Sequence, residues 1–431
     1  MKKFTAVLIG AGSRGFSYAE HMEKLSDKFE IVGVAEPIEA RRNAVKEKFD
    51  ISEINCFDDY KTLFGMPKMA DIAIIATMDD MHLEPALMAM ELGYNLLLEK
   101  PVAQSPQECI AIAKAAKNKG VKVLVCHVLR YTPFYMAVKE CVMKGTIGDV
   151  VSVLAVEGVG NVHQSHSYVR GNWKCEKEST PMLLAKCCHD IDIIQWVVDK
   201  RCEKVSSFGN LMHFKKENAP EGAPKRCVDT DCPARANCPY DVNKVYLSEN
   251  STKAFRRAAA KGFSKGNVPD NEDVIMGLRN SNYGNCVYYA ENDVVDNQIV
   301  NMQFEGGVSA SLTMNAFNQG GRYIRIFGTK GELYANAKDT EITVYTFENR
   351  ETTTITVAKT EESITGGHGG GDSGIIHELY EYLSGDYKGF CAADIDISVK
   401  NHIIGFAAEK ARKEGNVKSV EEYAKEFDFE Y

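Results

Sequence analysis

The residues whose types and spacing could do chemistry begin near the N-terminus. Gly10-Ala11-Gly12-Ser13-Arg14-Gly15 follows an apolar run at 4–9 and opens a helical pattern reaching about Leu25. In such a turn Gly10 carries the chain from strand to helix, Gly12 lets backbone approach a pyrophosphate, and Gly15 permits close helix–strand packing. Ser13 and Arg14 complete the cradle, and the helix start offers unpaired N–H groups and a positive dipole end to phosphate. A second apolar run, 30–35, ends at Glu36, about 20 residues further on, where a carboxylate can bond ribose hydroxyls. Arg41 and Arg42 follow and would suit a 2′-phosphate instead. A carboxylate at the strand tip repels that phosphate, so the pattern favours NAD over NADP.

A second set of polar residues sits where further apolar runs end. Ala76 and Thr77 close the run at 70–76, His82 starts a helical pattern, and Glu99-Lys100-Pro101 closes the run at 95–98. Parallel sheets place ligands at the carboxyl ends of their strands, so Ala76, Thr77, His82, Glu99 and Lys100 are expected beside the cofactor. A lysine desolvated there can act in proton transfer, and a cis or strained peptide before Pro101 would fix it.

Beyond residue 128 the reactive groups are more scattered. The segment 163–173 mixes His163, His166, Tyr168, Arg170 and Trp173. An aromatic plane with hydrogen-bonding groups suits a sugar, which has apolar C–H faces and several hydroxyls. In LLAKCCHDIDIIQW, helical spacing puts Lys186, His189 and Asp190 on one face, and Asp192 could orient the imidazole. Cys227, Cys232 and Cys238 fall within twelve positions of an insertion at about 215–280. They could hold a structural zinc with Cys286 or His213 as the fourth ligand, or remain unligated thiols. A glycine-rich stretch carries His368 to Asp372, read as a helix N-cap. It would either fold over a substrate or act as a hinge.

The elements that must position these groups read as two domains. Apolar runs at 4–9, 30–35, 70–76, 95–98 and 121–126 alternate with helical patterns, predicting an α/β Rossmann domain over 1–127 with a doubly wound parallel sheet. Runs at 150–156, 299–304, 308–312, 323–327 and 341–347 alternate or carry β-branched residues. They predict an α+β domain over 128–431 with a large open, mainly antiparallel sheet, whose exposed face suits a homodimer or homotetramer.

A GAGSRG turn, an EKP after a later strand and His189-x-x-Asp192-x-x-x-Trp196 together resemble the glucose-fructose oxidoreductase/inositol dehydrogenase (Gfo/Idh/MocA) family. The resemblance spans nearly the whole chain apart from the insertion. It implies that Lys100 lies between nicotinamide and substrate hydroxyl and that His189 takes the hydroxyl proton. It also makes 127–133 the crossover between domains, where Arg130 and Tyr131 either bond substrate or cofactor or hold the domains together. The chain departs from the family where relatives often carry a catalytic aspartate. That position is Ala185, leaving Lys186 or Asp190 as replacements.

Composition bounds the rest. A net charge of −9 argues against a nucleic-acid partner, and no stretch approaches the ~20 apolar residues of a membrane span. Thirteen cysteines, an odd number spread through apolar patterns, fit free thiols and a cytoplasmic location. The function expected is hydride transfer between a nicotinamide and a secondary hydroxyl of a sugar, glycoside or inositol. The alternative is a redox-neutral elimination through transient sugar oxidation, and a catalytically silent sensor stands third.

Overall fold

The structure is a computed structural model, and it describes residues 2–263, 269–338, 341–357, 368–385 and 387–431. Its N-terminal apolar runs pair into one sheet. Strands β1 (Phe4–Ile9), β2 (Phe29–Ala35), β3 (Cys56–Phe57), β4 (Ile72–Ile75), β5 (Asn95–Leu98) and β6 (Val123–Val125) lie in the order β3-β2-β1-β4-β5-β6. Every pairing is parallel. Parallel strands need helical crossovers, which cover both faces, so β4 and β6 are buried at every residue. The strand order reverses between β1 and β4, opening a crevice beyond their carboxyl ends. β3, only two residues long, has no apolar run by which the sequence could announce it.

The second sheet holds β7 (Val150–Gly158), β8 (Cys202–Asn210), β9 (Asn297–Phe304), β10 (Ser309–Asn315), β11 (Gly321–Gly328), β12 (Gly331–Asn336), β13 (Glu341–Thr346), β14 (Thr352–Thr356) and β15 (Lys418–Ser419). Their order is β14-β13-β12-β11-β7-β10-β9-β8-β15, antiparallel except between β7 and β10. Strict alternation buries Ile324, Ile326, Leu333, Val344, Val300 and Leu312 on one face. The other face exposes Leu154, Phe208, Ile299, Tyr323 and Tyr334. The open, mainly antiparallel sheet is as expected, but β8, β12 and β14 were not among the predicted runs.

The C-terminal helices tie the two sheets together. Helix Ile395–Glu414, started by the Asp394 cap, packs on helix Pro106–Lys119, on helix Cys188–Val198 and on β8. Helix Gly371–Leu383 packs on helix Ser13–Glu23 and on the turn Val128–Tyr131. Its N-cap is Gly370, not Asp372 as the sequence suggested. Gly371, the first helical residue, abuts the Val128 carbonyl, where a Cβ would come within 2.2 Å. Asp372 therefore falls in the first turn and faces elsewhere.

The segment at 163–173 starts at the end of a short helix, Asn161–His163, that runs into a wide-wound π-type stretch, Gln164–Arg170. The insertion carries its own small cores, one around Tyr246 and Leu278 and one around Phe214 and Tyr288. Among the described residues, no helix is long and apolar enough to cross a membrane.

Candidate active site and cofactor cradle

The glycine loop is shaped for a ligand on one side only. Gly10 adopts φ +88°, and a Cβ there would sit 2.7 Å from the Ala76 carbonyl oxygen. A Cβ on Gly15 would lie 2.1 Å from the Gly10 oxygen, so helix and strand could not close. At Gly12, by contrast, a Cβ would meet nothing within 4 Å, which leaves that face of the loop open to a pyrophosphate. Ser13 begins the helix. The buried Glu36 carboxylate accepts from Ala11 N–H at 2.7 Å and Ile38 N–H at 3.0 Å, fixing it against the loop. Each oxygen keeps a further lone pair for a ribose hydroxyl. Arg42 donates to the Glu36 carbonyl at 2.6 Å, turned to the main chain.

Arg14, expected to meet the cofactor, is held by protein carboxylates. Its Nε donates to Glu99 at 2.8 Å and its two Nη groups to Asp372 at 2.6 and 2.8 Å. Tyr18, which also contacts Arg14, donates to the same Glu99 oxygen at 2.6 Å. The other Glu99 oxygen accepts from Lys100 N–H at 2.9 Å. The glycine loop, the EKP segment and helix Gly371–Leu383 thus share one buried charge network. His82 supplies a second clip: Nδ1 meets the Pro101 carbonyl at 2.8 Å and Nε2 lies 3.3 Å from the Thr77 carbonyl. Thr77 itself donates to Met81 O at 2.9 Å. The Lys100–Pro101 peptide is cis.

So fixed at its backbone, Lys100 extends toward the second domain. Its Nζ donates to the Ala185 carbonyl at 3.1 Å, four residues before His189. A main-chain oxygen thus meets the lysine at the very position where relatives often carry an aspartate. His189 is 4% exposed, and its ring packs edge-on against His127 at 5.9 Å. Trp173 Nε1 donates to Asp79 at 3.0 Å, joining the two domains beside Lys100. Burial raises the affinity of Asp79 for its proton, against the opposing pull of His82 and Lys100.

Lys186 lies 3.5 Å from Glu157, and Arg322 reaches Glu157 at 2.7 Å and Asp190 at 2.8 Å. Burial lowers the proton affinity of Lys186, aided by Arg322 and Lys100 and opposed by Glu157. Burial raises that of Glu157 against Arg322 and Lys186, so both partners shift toward their neutral forms. Burial, then Lys186, holds His163 well below the usual imidazole range, leaving it neutral near pH 7. Lys186 and Asp190 do meet in one cluster, but not as one helix face. The helix breaks between Ala185 and Cys188, and the two are linked through Glu157 and Arg322.

Asp79, Glu157 and Arg322 were not among the expected residues. Each had a faint signal. Asp79 follows the carboxyl end of β4, while Glu157 and Arg322 stand in the inward phase of β7 and β11, where their neighbours are apolar. The strand register pairs these two directly.

Several expected substrate ligands are committed elsewhere. Arg130 forms a buried two-point pair with Asp192 at 2.6 and 2.7 Å, and Asn401 donates to Asp192 at 2.6 Å. The Tyr131 hydroxyl accepts from Ala393 N–H at 3.1 Å. Both side chains thus bond protein groups at the crossover between the domains. Arg170, 1% exposed, donates to the carbonyls of Asn285 and Tyr240 at 2.8 Å each and so anchors the insertion. His166 stacks between Phe255 and Tyr283, 4.0 and 4.9 Å from their ring centres, again holding the insertion. The His368 side chain lies outside the described residues, as do Gly366 and Gly367. Of the proposed zinc ligands, His213 bonds Tyr288 at 3.1 Å. Among the described residues, no three His, Cys, Asp or Glu side chains are gathered so as to hold a metal ion.

Comparison with known proteins now adds the kinship. A family model described as "Oxidoreductase family, NAD-binding Rossmann fold" matches residues 4–127, and "Oxidoreductase family, C-terminal alpha/beta domain" matches 139–394. The chain is 27% identical to the protein YteT of Bacillus subtilis (strain 168) over 403 residues, covering 87% of this chain and 88% of that one. It is 28% identical over 147 residues to 2,7-anhydro-N-acetylneuraminate hydratase of Escherichia coli (strain K12), spanning 34% of this chain and 38% of the hydratase. A levoglucosan dehydrogenase solved with NADH and L-sorbose shares the fold, with a TM-score of 0.69 at 18% identity, over 97% of this chain and 99% of that one. Matched in chain order across both sheets, the chain belongs to the Gfo/Idh/MocA oxidoreductase family, with an NAD-binding Rossmann domain at its N-terminal end.

Proposed function

We propose that this oxidoreductase uses NAD to oxidise a secondary hydroxyl of a sugar, glycoside or inositol. One observation carries the reading: Lys100, anchored in the cofactor domain, crosses the gap to the segment that bears Lys186 and His189. The nicotinamide, when bound, accepts the hydride from the carbinol C–H bond. The residues of the chain manage the proton and the alignment. Lys100 donates a hydrogen bond to the substrate oxygen, and His189 takes the hydroxyl proton as the C=O bond forms. Trp173, held by Asp79, offers an aromatic face to the C–H side of the ring. Glu36 against the glycine loop and Arg42 turned to the main chain support NAD over NADP.

A second reading, redox-neutral elimination, is favoured by the Lys186–Glu157 pair. Elimination needs an extra acid and base, and burial brings this pair toward proton balance. A hydratase among the relatives points the same way. A panel of sugars, glycosides and inositols, read by NADH absorbance and product analysis together, tests both. Sustained NADH formation selects the dehydrogenase; aglycone release or dehydration without net NADH selects elimination. Nucleotide binding with neither activity would overturn both.

The exposed face of the second sheet, with Phe208, Leu154, Tyr323 and Tyr334, supports a second copy of this chain as its cover.

A further inference from the structure

The insertion contains a long stretch with almost no regular structure. Between β8 and the turn Asn243–Leu247, the described backbone has a single three-residue helical turn, Lys216–Asn218. Irregular stretches of this length are uncommon in compact domains and need something to hold them. Two small apolar clusters do part of that work. Disulfides do none of it, because every cysteine is a free thiol.

Four of those thiols border one cavity. Cys227, Cys232, Cys238 and Cys286 line a single cavity together with Arg170. They arrive from two chain segments whose placement is fixed by backbone. Cys227 N–H donates to Gly284 O at 2.8 Å, and Cys286 N–H donates to Lys225 O at 2.9 Å, on either side of the Arg226–Asn285 bridge. Cys232 and Cys238 stand on the following turns, in which Cys238 N–H donates to Ala234 O at 2.9 Å. The cavity measures about 20 Å³, room for about one water-sized sphere. Arg170, which lines it, is almost fully buried. Its Nε and Nη2 donate to the Asn285 and Tyr240 carbonyls, and the guanidinium also lies against the Tyr246 hydroxyl. A buried guanidinium on the wall of a cavity lined by four sulfurs can offset the charge of thiolates there.

We propose that these four cysteines form a structural site for one soft divalent cation, zinc, which staples the insertion to the substrate domain. The thiols line the cavity without converging on a centre, so they must turn inward as the ion enters. Each gives its proton to solvent as its sulfur bonds the ion, with no change of oxidation state. Arg170 then offsets part of the excess negative charge of four thiolates around one divalent ion. His213 takes no part, being held by Tyr288 outside the cavity lining. The proposal is independent of the sugar reading, since the site is structural and touches neither Lys100 nor His189.

The test uses the full chain, purified without chelator and supplied with equimolar zinc. Elemental analysis should find about one zinc per chain after desalting. Cys232→Ser and Cys238→Ser should each lose it at least about tenfold, while Cys56→Ser, in the first domain, should keep it. Cobalt in place of zinc should give a thiolate-to-metal charge-transfer band whose intensity counts four sulfurs. Zinc should shield four thiols of the wild-type chain from alkylation, a readout that survives if the serine variants fail to fold. Four freely alkylated thiols with no retained zinc would overturn the proposal. So would several irons with acid-labile sulfide, or a disulfide among the four.

Discussion

The two walls of the cleft are built on different principles. On the cofactor wall, apart from the Arg14–Glu99–Asp372 network, side chains are spent on backbone: Glu36 holds the glycine loop, His82 clips Pro101 to Thr77, and Glu99 fixes Lys100 N–H. On the substrate wall, charged side chains face one another: Lys186, Glu157, Arg322 and Asp190 form a buried cluster in which burial shifts Lys186 and Glu157 toward their neutral forms. A dinucleotide is the same molecule in every such enzyme and can be met by a preset backbone. A substrate that must exchange protons needs groups whose charge can change. The cofactor wall is therefore expected to tolerate loss of reactive side chains in binding, and the substrate wall to lose chemistry.

Lys100→Met makes the strongest case, because the residue belongs to one wall and works at the other. Turnover should fall by about 10³–10⁴, while NAD affinity, read by fluorescence titration, changes only a few-fold. Retained turnover within tenfold of wild type would erase the distinction.

Arg130→Ala separates packing from ligand. The change strands the buried Asp192 carboxylate with Asn401, and should cost about 3–5 kcal/mol in denaturant unfolding. If stability holds and only KM rises, Arg130 is a substrate ligand after all.

Lys186→Met should lower kcat by about 10²-fold and leave NAD binding intact. The sign of its pH effect follows from burial. Lys186 loses its proton at lower pH than an ordinary lysine, near 10.4, so a rate needing the protonated form falls on the alkaline side before that value. The variant should lack this limb. An unchanged pH–rate profile would take Lys186 out of the chemistry.

The smallest effect concerns the histidines behind the cofactor wall. His402 Nε2 accepts from Val102 N–H at 3.0 Å, and Nδ1 bonds Ser398 O at 2.7 Å, which requires the neutral ring. Burial pushes its pKa down to about 3. The unfolded chain binds that proton near 6.5, so the stability is present above 6.5 and is lost as pH falls through the interval toward 3. Between pH 6.5 and 5 the loss from this group is about 2 kcal/mol. His402→Gln should flatten the slope of unfolding free energy against pH by about one proton, and an unaltered slope would contradict the assignment.

Much of the cofactor wall could be read from the chain, because its signals are local. A strand, a glycine turn and a helix start are neighbours in sequence, so GAGSRG, Glu36 and Lys100 announce themselves. The substrate wall was legible only in pieces. Arg170 and Arg14 read as ligands, and Arg130 as ligand or interdomain glue, because a basic residue near a site motif has no visible partner in sequence. Their partners, Asp192, the Asn285 and Tyr240 carbonyls, and Asp372, come from segments far along the chain.

By itself the sequence determined the periodicities: a parallel sheet from continuous apolar runs, an open sheet from alternation, and a nucleotide turn from glycine spacing. Those depend on steric and hydrophobic rules acting over a few residues. Only the tertiary structure decided which charges are spent on one another, joined Glu157 to Arg322 across a strand register, and gathered four cysteines on one small cavity. Pairing energies depend on distance in space and on exclusion of water, and neither is written in the order of residues.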